Sequence, residues 1–571
     1  MCFAVGLALR VAWVLWVDRQ GFPLNDALIY HAQGVSINGG DGFRPISGGV
    51  SAQWPPGYGV VVAGVYFVFG VHPVAAELAN AVFGAITVVL LMLLVERLVD
   101  RRAAVVAGVI LAVMPGPILW TDVIVTETLY TMLFVALLLV LAYGPLAPDR
   151  DRARWYWYAA VGLLIGCGAS VRGEGVLWGL LPIVYFWRAV PWRTLVARVA
   201  AIGVIAVAVL VPWTVRNAIK MDAFIPVGTN AGHTLWSGHN PGATGGQTYP
   251  PDDFFDQFTQ TAPERELEAA AELQRQAIDF MVSNPLRELE LIPLKLIHLN
   301  RGDSYALDWV NAVPRDAVAP ISAINVERIG VFADAAYFGL LTLTLGGVAV
   351  LGRRFWADRT MRCIATTFFT ALFLYGFMYY GNYRYRLPLE PFMILIAATL
   401  ISRVWAARRQ ITGDGESNVK HRVSDGRHRA DAGTVQPVAM ADVPTRVDVL
   451  VAERPLWRGL MHAWTFFLVI PAGVLLIVFA DRPAARAAAA VYFATLLLVF
   501  GTSAAYHRLA HTYRQRQIMQ RLDHSMIYLL ITGTYVPICL VALPTAWGVP
   551  LLATVGGIGL FGIVIKLCGI R

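Results

Sequence analysis

The chain has 571 residues, 57% of them hydrophobic and only 15% charged, with a net charge of +8. That composition excludes an ordinary soluble enzyme and places the protein among polytopic membrane proteins. The positive charge does not indicate nucleic acid, because the basic residues cluster in short loops between apolar runs, as the positive-inside rule expects of cytoplasmic loops. The first element, CFAVGLALRVAWVLWV, reads as a short membrane helix that stays attached and carries Arg10. It lacks the basic start and small-residue cleavage site of a secretory signal, and its shortness raises the expectation that the reading frame begins further upstream.

Runs long enough to span a bilayer follow near 75–95, 103–120, 123–143, 199–213, 330–351, 363–380 and 387–404. The run 57–70 is too short to cross and is expected to lie along or dip into the outer surface. The run 157–187 is broken by Arg172-Gly173-Glu174 into two short helices. With 17–74 outside, the arginine-rich segments Glu96–Arg102, Asp149–Arg154, Trp187–Arg198, Arg353–Arg362 and Arg403–Arg409 all fall inside. The same assignment puts 172–174, 214–329 and Asn382–Arg386 outside, so polar groups distant in sequence converge on one face.

The long polar insert 214–329 begins with a Gly-rich stretch, GTNAGHTLWSGHNPGATGG. An acidic helical pattern with a Pro stop after Asn284 follows, and a small extracytoplasmic subdomain is expected. Residues 406–452 have almost no large apolar side chain and read as a disordered cytoplasmic linker. A second membrane unit occupies 453–571, with runs near 461–480, 485–505, 524–543 and 548–566 and a basic loop over Tyr506–Arg521. The five cysteines, Cys2, Cys167, Cys363, Cys539 and Cys568, give neither a disulfide framework nor a metal spacing.

Asp26 is the most informative polar residue. A carboxylate at a membrane boundary is costly to desolvate and calls for a reason. It suits a general base, although a turn or helix cap would use the same residue. Asp122 and Glu127, in TDVIVTETLY, stand at the next outer boundary, as site acids or as first-turn acids complementing a helix dipole. Arg172, Arg216, Arg384 and Arg386 lie on the side where the charge bias does not explain cations. Their planar forks suit phosphate, with Glu174 a competing partner for Arg172 and snorkelling a competing role for Arg386. Lys295 and Arg301 are weaker candidates. His233, His239 and Asn240 are read as polar loop residues, because no third ligand stands at metal spacing.

DALIYHAQG followed by QWPPGYGVVVAGVYFVFG resembles the first outer loop of the GT-C glycosyltransferases, in particular the protein O-mannosyltransferase and lipid A aminoarabinose transferase group. SVRGEG, VPWTVRN, LWSGHNPGATGG and NYRYRLPLEPFMILI continue that pattern in order over about 1–405. The resemblance implies an all-α GT-C core with an extracytoplasmic insert. It also implies a sugar, mannose or a similar hexose, carried on a polyprenyl phosphate and transferred with inversion at the outer face of the cell membrane. Asp26 matches the family's catalytic acid by its place after the first helix; Asp122 and Glu127 match its second acidic position, and Trp54 and Tyr58 join the arginines and Glu174 as substrate-binding candidates. The expected partners are the lipid-linked donor, a glycan, lipid or protein acceptor and the bilayer. No cofactor is expected to be required, although a divalent cation serves some proteins of this fold.

RPLWRGLMH, GTSAAYHRLAH and RLDHSMIYLLITGTYVPI resemble the haemolysin III family over about 453–571. That resemblance implies a zinc site at Ser503, His507 and Asp523. The family's last helix, with its further histidines, has no counterpart before Arg571, so the shell is expected to be incomplete and the unit a truncated one; His511 is read as a loop histidine. The competing function is a haemolysin-III-like membrane regulator or zinc-dependent hydrolase with the first unit as scaffold. A transporter would need interrupted helices in matching halves, and only 157–187 is interrupted.

Overall fold

A computed structural model describes residues 1–17, 26–44, 49–144, 155–251, 254, 263–312, 320–406, 460–478, 480, 482–509, 513–543 and 545–567. The chain divides into two compact units, Met1–Arg427 and His428–Arg571. Both are all-α, and no strand occurs among the described residues. Seven helices among them are long and apolar enough to cross a membrane, or eight if a bent pair counts as one. This is a multi-pass membrane protein.

In the first unit, α1 (Cys2–Trp16), α4 (Pro73–Leu98) and α5 (Arg101–Val113) pack together, and α4 also meets α7 (Glu127–Tyr143). The side chains of Leu91, Leu94, Phe134, Trp178 and Phe392 form part of one continuous core. The run 103–120 is a bent pair, 50° at its break, where Pro115 cannot continue α5 and starts α6 (Pro115–Leu119). The break leaves carbonyls at the end of α5 without helical partners. Arg10, completely buried, supplies donors: its guanidinium bonds Leu111 O at 3.2 Å, Ala112 O at 3.4 Å and Gly6 O at 2.9 Å. The charged residue in the first helix is thus a helix C-terminal cap in the interior.

α8 (Trp155–Val171) lies against α10 (Trp192–Met221) through Gly162 and Gly166. A Cβ at either would stand 2.7 Å from a carbonyl of α10, Ile202 O or Ala206 O, so only glycine permits this approach. The polar interruption after α8 occurs where expected: the helix ends at Val171, and a 3₁₀ segment, Gly173–Gly179, leads into α9 (Leu180–Phe186).

Several boundaries differ from the sequence reading. The first long connection contains two helices, α2 (Asp26–Asn38), which Asp26 opens, and α3 (Gly57–Phe69). α10 extends through 214–221, so the insert starts later than 214. It holds α11 (Ala231–Gly238), then helices Pro263–Ser283 and Pro285–Leu299. The Pro stop after Asn284 is also a start, because proline suits the first turn of the next helix. The helix Arg359–Phe373 ends in a π turn, Leu374–Met378, and the span Tyr383–Ala406 begins with a 3₁₀ segment, Tyr383–Leu389.

The second unit consists of consecutive helices Leu460–Val478, Pro483–Leu509, Tyr513–Pro537 and Thr545–Leu567, each packed on the next. Most of Tyr506–Arg521 is helix rather than the basic loop expected. The linker expected over 406–452 lies, apart from Ala406, outside the described residues.

Candidate active site

The first unit encloses a chamber of about 770 Å³. Its wall is assembled from the start of α2 (Asp26, Tyr30), Gln53–Pro55, Val125–Glu127, Val171–Glu174, the Val227–Thr234 region and the turn bearing Tyr375 to Tyr385. Segments more than 350 residues apart in sequence therefore meet here. Of the expected site residues, Asp26, Trp54, Glu127, Arg172, Glu174 and Arg384 line it.

Their charges alternate. Arg384 Nη1 donates to Asp26 Oδ2 at 2.7 Å, while its Nε stands 3.7 Å from Glu127 Oε1. Arg172 Nη1 bonds the same Glu127 oxygen at 2.6 Å, and its Nε bonds Glu174 Oε1 at 2.7 Å. Tyr375 Oη donates to that Glu174 oxygen at 3.0 Å. Three carboxylates and two guanidiniums thus form one continuous network, the condition under which charges persist away from water. Aromatic rings complete it: Arg384 sits 4.7 Å from the Trp309 ring, and the Tyr385 ring lies beside both arginines, 5.4 Å from Arg384 and 5.2 Å from Arg172. The Asp26 side chain keeps 30% of its surface exposed against 2% for Glu127, so of the two it is the one a ligand reaches.

Four expected residues are not on the wall. Asp122 is fully buried in the short turn Trp120–Asp122, and the extended stretch after it separates it from Glu127. Tyr58 is buried with its hydroxyl donating to Asn80 Oδ1 at 3.0 Å, and Asn80 in turn bonds Val123 O. Arg216 bonds Ser51 O at 2.8 Å and Phe43 O at 3.0 Å, anchoring the first loop rather than offering a free cation.

Arg386 is the plainest departure. A 3₁₀ segment turns about 120° per residue, so positions two apart face different sides. Arg384 faces the chamber, whereas Arg386 is enclosed between Asp303 and Glu390, with Leu299 O and Arg301 O also accepting and the Tyr337 ring 3.4 Å away. Burial pushes Asp303 up to about 6, against the opposing pull of Arg386.

Lys295 and His239 form another buried group off the chamber wall. Lys295 Nζ donates to His239 Nε2 at 3.1 Å and to Phe377 O at 3.3 Å, and His239 Nδ1 faces Glu288 at 2.8 Å. Burial lowers Lys295 to about 8, with Glu288 acting the other way. Asn240 braces the same loop through Trp236 O and Thr248. Arg301 meets Arg386 through its carbonyl, not its guanidinium. His233, by contrast, is on the chamber wall together with Tyr30, Tyr249, Tyr379 and Tyr380. Burial pushes the Tyr30 phenol up, so it stays protonated there. The sequence reading missed these tyrosines; for Tyr379 and Tyr380 the run FLYGFMYYGNYRYR, closing an apolar span, was the available signal.

In the second unit the rings of His462 and His507 lie 5.9 Å apart. No group of three or more His, Cys, Asp or Glu side chains able to hold a metal occurs among the described residues. The positions implied for zinc, Ser503, His507 and Asp523, offer one hydroxyl, one imidazole and one carboxylate. His511 lies outside the described residues.

Comparison with known proteins finds one matching segment within each unit. Residues 53–215 match the family model described as dolichyl-phosphate-mannose-protein mannosyltransferase, and residues 451–570 match the haemolysin-III related model. Hemolysin-3 of Bacillus cereus is 33% identical over 135 residues, 23% of this chain and 61% of that protein. The Hemolysin-3 homolog of Bacillus subtilis (strain 168) is 34% identical over 113 residues, 19% of this chain and 53% of its own length. The chain thus spans a little over half the length of these relatives. Among solved structures, ArnT from Cupriavidus metallidurans bound to undecaprenyl phosphate aligns with 14% identity and a TM-score of 0.45, over 100% of this chain and 76% of that one. The apo oligosaccharyltransferase of Archaeoglobus fulgidus aligns with 13% identity and a TM-score of 0.43, over 73% and 51%. The chain thus carries a segment similar to dolichyl-phosphate-mannose-protein mannosyltransferases and, after it, a segment similar to haemolysin-III related proteins.

Proposed function

We propose that the first unit transfers a monosaccharide, mannose or a similar hexose, from a polyprenyl-phosphate carrier to an acceptor hydroxyl at the extracytoplasmic face of the cell membrane. The observation that carries this reading is the pairing of Asp26 with Arg384 on the wall of a chamber large enough for a sugar and its phosphate. The family match over 53–215 supplies the substrate class. In the proposed reaction Asp26 takes the proton of the acceptor hydroxyl. The acceptor oxygen bonds the anomeric carbon as the carbon–oxygen bond to phosphate breaks, its electron pair leaving with the phosphate; a single displacement inverts the anomeric centre. Arg384 and Arg172 stabilise the departing phosphate, the kind of electrostatic contribution that dominates such sites. The tyrosines offer rings on which a sugar face can stack. Asp122 keeps at most an indirect role, through the segment that carries Glu127. No metal is required in this scheme.

The test is transfer of label from polyprenyl-phosphate [³H]mannose to membrane acceptors by the full-length chain in proteoliposomes. Transfer that resists EDTA, disappears in D26N and yields the inverted anomer is expected. A D26C variant labelled by an impermeant thiol reagent from the cytoplasmic side alone would overturn the assigned face. Undiminished transfer by D26N would overturn the base.

A further inference from the structure

His233 stands in α11, on the same chamber wall as Asp26. The Tyr249 ring lies 6.2 Å from its ring, and neither imidazole nitrogen has a hydrogen-bond partner among the described residues. An imidazole on the wall of a polar chamber, with neither nitrogen engaged among the described residues, is placed to exchange a proton with what the chamber holds. Asp26, meanwhile, is held by Arg384 at 2.7 Å. A proton taken up by Asp26 cancels the charge that holds this guanidinium. The proton must therefore move on before the arginine that faces the phosphate is properly held again.

Resting on the transferase reading, we infer that His233 is the second proton carrier of this site: the proton that Asp26 removes from the acceptor hydroxyl passes to an imidazole nitrogen of His233, directly or through chamber water, and departs to solvent from there. The balance is complete. The O–H bond breaks, the new C–O bond forms, the phosphate leaves with the electron pair of the old one, and the proton goes to Asp26, then to imidazole, then to water. Burial lowers the titration of His233, with Asp26 opposing, so the ring is neutral and able to accept near neutral pH. The charged groups around it are Asp26 from α2, Glu127 from α7, Arg172 and Glu174 after α8, and Arg384. On the helix packed against α11, Glu266 is engaged by Ala52 N and Thr229 Oγ1, and Glu272 by Arg275.

The experiment is the pH–rate profile of label transfer from polyprenyl-phosphate [³H]mannose by the full-length chain in proteoliposomes. In the unaltered protein the rate falls on the acid side as His233 becomes protonated. H233Q is expected to lose that acid limb and to lower the maximal rate roughly 100-fold, the low end of acid–base contributions. H233A is expected to regain rate on addition of imidazole. Superimposable profiles for H233Q and the unaltered protein overturn the inference and leave the transferase reading standing. So does a pH-independent loss in H233A that imidazole does not restore. Absence of transfer by the unaltered protein at every pH overturns both together.

Discussion

Arg384 and Arg386 are two residues apart, both buried and both paired with acids, yet they belong to different kinds of site. Arg384 shares its carboxylates with a chamber: Asp26 at 2.7 Å remains accessible, and Arg172 continues the network. Arg386 is surrounded by Asp303, Glu390 and two backbone carbonyls, with an aromatic ring over it. The first arrangement leaves donors and a carboxylate for a ligand. The second satisfies the arginine internally and cross-links the span beginning at Tyr383 to the segment 299–303. Burial and charge pairing do not separate the two. What does is whether the partner acid opens onto space.

Substitution at the two arginines breaks this comparison most directly. R384A is expected to cost at least 100-fold in label transfer while leaving the thermal midpoint of the detergent-solubilised protein little changed, since Asp26 can rehydrate in the chamber. R386A should do the reverse, because it strands enclosed acids; removing one partner of a buried pair costs about 3–5 kcal/mol, read as a lowered unfolding midpoint. If R386A kept its midpoint and lost only transfer, the division between the two sites would fail.

A second, smaller effect tests Arg216, which the sequence groups with the phosphate-facing cations and the structure assigns to the first loop. Its bonds to Ser51 O and Phe43 O brace the segment that leads to Trp54 on the chamber wall. R216A is expected to raise the apparent KM for the donor several-fold with kcat nearly unchanged, at a stability cost of about 1–2 kcal/mol for the lost charge-assisted bonds. A fall in kcat matching that of R384A would return Arg216 to the reacting centre.

The helical spans were legible because length and apolarity alone decide them, and the break at Arg172 was legible because three polar residues cannot extend an apolar helix unnoticed. Asp26, Glu127, Arg172 and Arg384 were legible as candidates because charge is conspicuous in an apolar chain. The separation of Arg384 from Arg386 was not, since the sequence offers 382–386 only as an outer segment, and which of two neighbouring arginines meets open space depends on what the fold packs against each. Nor was the burial of Asp122 in the short turn Trp120–Asp122, or the placement of His233, which needs a fold to bring α11 and the start of α2 to one chamber. Sequence marks which side chains carry chemistry; the packing of segments distant in the chain decides which of them share a space.

The smallest expected effect concerns Lys295, whose cluster lies between the two arginine sites in character: buried like that of Arg386, yet bonded to Phe377 O in the turn that leads to Tyr379 and Arg384. Burial lowers this lysine from 10.5 to about 8. Between those two values the folded chain has released a proton that the unfolded chain retains, so stability rises with pH through that window. Below it both forms carry the proton, and the folded form bears the whole cost of a buried charge. The unfolding midpoint should therefore drift upward from pH 8 to pH 10, and K295M should remove Lys295's share of that drift. In the same variant, transfer at pH 7 should fall through a raised KM rather than a reduced kcat, because the methionine cannot hold the Phe377 carbonyl and the turn bearing Arg384 loosens. An unaltered pH slope in K295M would show that this ammonium is solvated, and the cluster would then be no brace for the chamber at all.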